Sequence, residues 1–180
     1  MSCIQTEIDT TVGVIISGYQ GIGKSTLAIK CDKVIDLESS SYYVHGQRPL
    51  DWEYMYANAA IHIALQHKVV FVSSHSKVRN YLKQLCSEHE YPIHLFSVVP
   101  DINLEDLWID KLRCRFQSTL LDKDYRAYMN ALDNYRNNIL DILQDSVECI
   151  QICSMDYDLR EVLNDAFSIH GLDLKEVGIN

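Results

Sequence analysis

The residues Gly18-Tyr19-Gln20-Gly21-Ile22-Gly23-Lys24-Ser25 carry the densest chemistry in the chain, fitting the pattern G-x-x-x-x-G-K-[ST] at every fixed position. Glycines let a backbone curl until successive N–H groups converge on an anion, and the start of a helix adds partial positive charge there. Gly18, Gly21, Ile22 and Gly23 would form that main-chain cradle. Lys24 would reach the terminal phosphates of a nucleotide, the Ser25 hydroxyl would ligate Mg2+, and Thr26 would add a phosphate contact. The ligand this predicts is ATP, or a close nucleoside triphosphate, with Mg2+. The competing account is a chance glycine-rich turn, which the flanking residues argue against.

Such a loop must be held between a buried strand and a helix. Val12 to Ser17 is a short apolar run of the kind that forms a fully buried strand, and Ser25 to Lys30 reads as the start of a helix. Further strands are predicted at Val34–Leu37, Val69–Ser73, Ile93–Val99 and Val147–Cys153. Asp51 caps a helix to about His67, with Trp52, Tyr56, Ala59 and Ile63 on one face. Val78, Tyr81, Leu82 and Leu85 mark the next helix. Asn103 caps another, with Leu104, Leu107, Trp108 and Leu112 inward. A long helix from about Asp124 to Leu143 carries the stripe Tyr128, Leu132, Tyr135, Ile139 and Ile142. A last helix holds Leu159, Val162, Leu163 and Phe167 and ends at Gly171, before a polar tail to Asn180. Glu38 to Leu50 reads as a loop. Strands alternating with helices imply an α/β domain, one unit over residues 1–180, with a parallel sheet covered on both faces.

Gly18 to Ser25 resembles the Walker A loop of P-loop kinases. Over nearly the whole chain the element order is similar to that of nucleoside monophosphate kinases and their shikimate- and gluconate-kinase relatives, most of all the small phage-type deoxynucleoside monophosphate kinases. The resemblance implies a three-layer P-loop NTPase fold with a five-stranded parallel sheet in the order 2-3-1-4-5. It implies an acceptor-binding segment at about residues 38–68 and a lid at about residues 113–127. The adenine would lie beside the loop after the fifth strand, where Ser154, Met155 and Asp156 stand.

In related kinases an acid at the end of strand 2 assists Mg2+ or accepts the proton of the substrate hydroxyl. The resemblance gives that role to Asp36, with Glu38 as the alternative. Tyr42, Tyr43, His45 and Arg48 fall where the acceptor would enter. An aromatic ring can stack a base and an arginine can grip a phosphate; two tyrosines folded onto the core is the plainer account. Arg79, one turn into the helix after strand 3, would approach the acceptor phosphate or stand in solvent. Strand 3 ends in Ser73-Ser74-His75 without the aspartate common there in P-loop proteins, which weakens a reading as a motor-type ATPase.

Lys111-Leu112-Arg113-Cys114-Arg115 resembles the arginine-rich helix end that enters a kinase lid, and Arg126 follows a polar stretch from Gln117 to Asp124. Arg115 and Arg126 would close over the transferring phosphoryl group and exclude water. Cations attracted to a helix C-terminus would also account for Arg113 and Arg115.

Composition bounds the rest. Sixteen Lys and Arg against twenty-five Asp and Glu give a net charge of −9, which argues against an extended nucleic-acid footprint. The sequence has no membrane-length apolar run, and Met1 to Glu7 does not read as a signal peptide, so a cytoplasmic location is expected. The six cysteines form no CxxC pair and read as reduced and structural. The expected reaction is transfer of the terminal phosphate of ATP to a nucleoside monophosphate, a deoxynucleotide by resemblance. A kinase of another small metabolite, nucleoside or nucleic-acid end is the alternative, and a regulatory nucleotide-binding module is the alternative of another class. A homodimer is compatible with any of these.

Overall fold

In the computed structural model, which describes residues 12–43, 47–66 and 68–172, five parallel strands form one sheet. They are β1 (Gly13–Gly18), β2 (Val34–Asp36), β3 (Val69–Ser73), β4 (Ile93–Pro100) and β5 (Cys149–Ile152). Their order is β2-β3-β1-β4-β5, as the resemblance implied. Among the described residues six α-helices flank the sheet: α1 (Lys24–Lys30), α2 (Trp52–Ala64), α3 (Ser76–Glu88), α4 (Glu105–Thr119), α5 (Asp122–Asp145) and α6 (Leu159–Ile169).

The runs of apolar residues are explained by burial on both faces. Successive side chains of a strand point to opposite sides, so Val14 and Ile16 of β1 enter one core and Ile15 the other. The first core receives Trp108 and Leu112 from α4, Tyr135 and Ile139 from α5, and Leu163 and Phe167 from α6. The second receives Tyr56 and Ala60 from α2 and Val78 and Leu82 from α3. Gly13 lets α2 lie close, because a Cβ there would stand 2.7 Å from the carbonyl oxygen of Ala64.

Parallel strands deliver their C-terminal ends to one edge of the sheet, and that edge is where a ligand binds in an open α/β fold. Gly18 pairs with Ser73 in the β1–β3 register, and Asp36 pairs with Phe71 in the β2–β3 register. The phosphate loop, the acid of strand 2 and the serines of strand 3 therefore share that edge.

Several local expectations need correction. The buried face of α2 is Trp52, Tyr56, Ala57, Ala60, Ile61 and Ala64, rotated from the predicted stripe at Ala59 and Ile63. The helix ends at Ala64; His67 lies outside the described residues. Asn103 does not cap α4, which starts after Leu104 without a side-chain cap; Asp101 caps the short 3-10 turn Ile102–Leu104 before it, its side chain accepting from the Asn103 amide at 2.8 Å. Leu107 and Leu132 face outward. The stretch from Gln117 to Asp124 is helical except at Leu120 and Leu121, where a left-handed Leu120 (φ 56°) turns α4 sharply into α5. Cys153 is exposed, because β5 stops at Ile152. The predicted polar tail beyond Leu172 and the loop residue His45 lie outside the described residues.

Candidate active site

The phosphate loop leaves β1 and turns through two left-handed glycines, Gly21 (φ 85°) and Gly23 (φ 101°), before α1 begins at Lys24. At Gly18 the backbone is not left-handed, but a Cβ would stand 2.5 Å from Ile22 Cδ1 and 2.8 Å from Lys24 Cδ, so a side chain there would displace these two side chains. The Lys24 ammonium donates to the Gly18 carbonyl at 2.9 Å. Burial lowers its pKa from the ordinary lysine value; Asp36 and Glu38 oppose that shift and Arg115 adds to it.

Around the loop stands a rigid collar. The Trp108 indole of α4 donates to the Gln20 carbonyl at 2.9 Å, and the Gln20 side-chain amide donates to the Ala127 carbonyl of α5 at 2.8 Å. The Tyr157 hydroxyl donates to the Gly21 carbonyl at 3.3 Å and accepts from Lys111 at 3.0 Å. The Lys111 ammonium also lies 4.2 Å from the Trp108 ring centre and 4.8 Å from that of Tyr157. Trp108 and Tyr157 thus fix two carbonyls of the loop, Ala127 holds the Gln20 side chain, and the Tyr19 amide is bonded to the Val98 carbonyl at 2.9 Å.

At the start of α1 the Ser25 hydroxyl donates to Asp36 at 2.5 Å. Hydroxyl and carboxylate oxygens are hard donors that suit Mg2+, which keeps water and phosphate oxygens among its ligands and needs no all-protein cage. Ser25 with Asp36 is a hydroxyl–carboxylate pair of that donor type; among the described residues no group of three or more His, Cys, Asp or Glu is arranged to hold a metal. The Tyr56 hydroxyl joins the next layer: it donates to the Leu37 carbonyl and accepts from the Ser73 amide at 2.9 Å, tying the ends of β2 and β3 together. Burial raises the pKa of that hydroxyl, so it stays protonated.

Two cavities meet at the loop. One, of about 760 Å³, runs from Gly21–Leu27 past Lys111 and Arg115 to Met155 and Tyr157. The other, of about 250 Å³, lies between Lys24, Ser25, Asp36, Glu38, Ser39, Ser73 and Ser74. Gly21, Lys24, Ser25, Arg115, Lys123 and Asp124 border both.

Of the residues expected from sequence, Gly18, Gly21, Ile22, Gly23, Lys24, Ser25, Thr26, Asp36 and Arg115 line one or both cavities. Arg48 does not. Its guanidinium lies between the rings of Tyr43 (4.4 Å) and Trp52 (3.9 Å) and donates to the Ser39 carbonyl and hydroxyl, beside the smaller cavity. Tyr42 packs on Trp52 and Tyr56. Arg126 pairs with Asp122 at 2.9 Å and reaches the Tyr43 ring at 5.4 Å.

Arg79 is neither solvated nor at the edge of either cavity. It is buried and committed to Asp141 (2.8 Å), Asp145 (3.0 Å) and the Ser74 carbonyl, which corrects its predicted approach to an acceptor phosphate. Sequence reasoning gave no site role to Lys111, Lys123, Asp124 and Tyr157, which line the cavities. Lys111 was legible in principle, four residues before Arg115 and so on the same helix face.

A parallel sheet in the order β2-β3-β1-β4-β5, with a G-x-x-x-x-G-K-S loop leaving its central strand, is the three-layer P-loop NTPase fold. Solved structures share it. The tunicamycin resistance protein of Deinococcus radiodurans superposes with a TM-score of 0.52 and 15% identity, covering 89% of this chain and 96% of that one. Shikimate kinase from Bacteroides thetaiotaomicron does so with a TM-score of 0.50 and 13% identity, covering 89% and 99%. A gluconokinase from Sinorhizobium meliloti 1021 gives a TM-score of 0.49 at 13% identity, covering 88% and 91%. No protein-family model matches the chain, and no curated protein matches it in sequence. No helix among the described residues is long and apolar enough to cross a membrane.

Proposed function

We propose that this chain is an ATP-dependent kinase of a small molecule. The observation that carries the reading is the meeting of two cavities at Lys24, Ser25 and Arg115. A nucleotide sensor needs one cavity; a phosphotransferase needs a donor cavity and an acceptor cavity that share the transferring group. The larger cavity suits the nucleotide, with its base toward Met155 and Tyr157. The smaller suits the acceptor, in the segment of about residues 38–68, and the α4–α5 turn at about residues 113–127 acts as the lid.

Mg2+ held through Ser25 and Asp36 would offset negative charge on the phosphates. The loop amides and Lys24 hold the phosphate chain, Arg115 stabilises the charge that develops on the moving group, and Asp36 takes the proton of an acceptor hydroxyl. The collar of Trp108, Gln20 and Tyr157 keeps the loop fixed while this happens, so positioning is the chief contribution.

For the acceptor, the wall of the smaller cavity favours a hydroxyl-bearing molecule. Asp36 and Glu38 line it, whereas Arg48 lies outside. A nucleoside monophosphate, a deoxynucleotide by resemblance, is the second reading. It rests on Arg48 held between Tyr43 and Trp52 with a buried Nε–H lacking a partner, and on Arg126 nearby. Incubation with ATP, Mg2+ and a panel of hydroxylated metabolites, nucleosides and nucleoside monophosphates, read by chromatography, tests both. Acceptor-dependent ADP with a phosphorylated product supports the kinase and names the acceptor class. ADP formed without any acceptor, or nucleotide binding with no ADP at all, points instead to the regulatory module.

A further inference from the structure

A buried carboxylate in the lid has no part in the scheme above. Asp124, in the first turn of α5, is 5% exposed and borders both cavities. Burying a charge is costly unless it is paired and hydrogen-bonded, and this one is both. One oxygen lies 2.9 Å from Arg115 Nη2, and the other accepts from the Thr119 hydroxyl at 2.6 Å. The left-handed turn at Leu120 makes this possible by folding the start of α5 back on the end of α4. The Thr119 hydroxyl also accepts from the Leu121 amide at 3.3 Å, so the turn and the carboxylate are fixed together.

We infer that Asp124 is a positioning residue, with Thr119 in support, that holds Arg115 aimed at the boundary of the two cavities. This rests on the kinase reading for what Arg115 does there. The guanidinium is planar, so fixing one Nη fixes the whole fork. Arg115 keeps a buried Nε–H without a partner, and it stands near enough to Lys24 to lower the lysine's pKa. An unrestrained arginine would swing from a neighbouring cation toward water. Asp124 offsets that repulsion and holds the fork ready for phosphate oxygens. An arginine already in place loses no rotamer freedom when charge develops on the transferring group, so the gain appears in kcat more than in KM.

The test is a double-mutant cycle over Asp124→Ala and Arg115→Ala, in the full chain. It is read in kcat with the acceptor found above, and in affinity for ADP with Mg2+ and aluminium fluoride, a mimic of the moving phosphoryl group. Asp124→Ala alone should lower kcat by about 30-fold or more with the ATP KM within about threefold, and in the Arg115→Ala background it should change kcat by less than about threefold. Asp124→Asn, which keeps an acceptor oxygen for Arg115, should recover part of the loss and guards against misfolding of the alanine variant. Equal losses in both backgrounds would overturn the proposal, because Asp124 would then act by itself or only on stability. A wild-type chain that binds ADP–aluminium fluoride yet transfers phosphate to nothing removes the kinase reading, and the cycle is still decided by affinity. A wild-type chain that binds no nucleotide removes both.

Discussion

The Ser25 hydroxyl stands 2.5 Å from a carboxylate oxygen of Asp36, joining the first turn of α1 to the end of β2. It brings the hydroxyl proposed to bind Mg2+ and a carboxylate to one point on the sheet edge. If Asp36 takes a proton from the acceptor, Asp36→Asn should lower kcat by about 10²- to 10⁴-fold while the affinity for nucleotide without Mg2+ stays within a few-fold. Steady-state rates and titration of a fluorescent ATP analogue check the two halves separately. An activity near wild type that needs only more Mg2+ would assign Asp36 to the metal alone.

The sheet and the phosphate loop were legible because each is written locally. Short apolar runs bounded by turns name the strands, and the loop needs glycines at fixed spacing. Asp36 was legible through the resemblance, which places an acid at the end of β2; in the fold β2 lies beside β3, one strand removed from β1. What was not legible came from long-range packing. Nothing near Arg79 announces Asp141 and Asp145, some sixty residues away, and nothing near Asp124 announces that a sharp turn folds it onto Arg115. The α2 stripe was misplaced because its small alanines, Ala57 and Ala60, carry little hydrophobic signal although both are fully buried. The large Tyr56 was read as core alone, whereas its hydroxyl braces the ends of β2 and β3.

Lys24 gives a pH dependence of defined sign. In the free protein burial lowers its pKa, so the ammonium loses its proton at a pH below the ordinary lysine value of 10.5. Phosphates beside it favour the charged form, so nucleotide binding should raise that pKa. The complex then holds more protons than the free protein within that window, and affinity must fall as pH rises through it. Titrations of ADP at a series of pH values below the ordinary lysine value should show this decline, and Lys24→Met should bind weakly with little slope over the same series. A wild-type affinity that is flat over the whole range would contradict the role of the lysine.

Gly21 should be intolerant of a side chain. Its φ of 85° is strained for any other residue, and a Cβ would stand 2.9 Å from Leu112 Cδ2, the far end of a flexible side chain. The backbone term therefore decides, and Gly21→Ala should cost about 1–2 kcal/mol of stability. Nucleotide affinity should fall as well, by about tenfold or more, because relief of the strain turns amides away from the phosphates. Denaturant unfolding and calorimetry measure the two effects. Loss of stability with full affinity would mean that the loop keeps its shape without the glycine.

Arg79 offers the converse case, a cation that looks functional in sequence and is structural in the fold. It joins α3 to the end of α5 through Asp141 and Asp145, and Lys83 also pairs with Asp145. Arg79→Met should cost about 1–3 kcal/mol, less than a fully buried pair would, because Asp141 is more than half exposed. Acceptor KM and kcat should stay within about threefold. Burial alone would raise the pKa of Asp145, but the hydrogen bond from Lys83 and the charges of Arg79 and Lys83 outweigh it and hold the carboxyl below its ordinary 3.8. A carboxylate whose pKa is lower folded than unfolded stabilises the fold above its unfolded value and loses that contribution as pH falls through the folded one. The variant should therefore lose less stability than the wild type on going from about pH 6 to about pH 3, as read by denaturant unfolding at each pH. A large rise in acceptor KM with unchanged stability would restore Arg79 to the acceptor site and put the ion pair in second place.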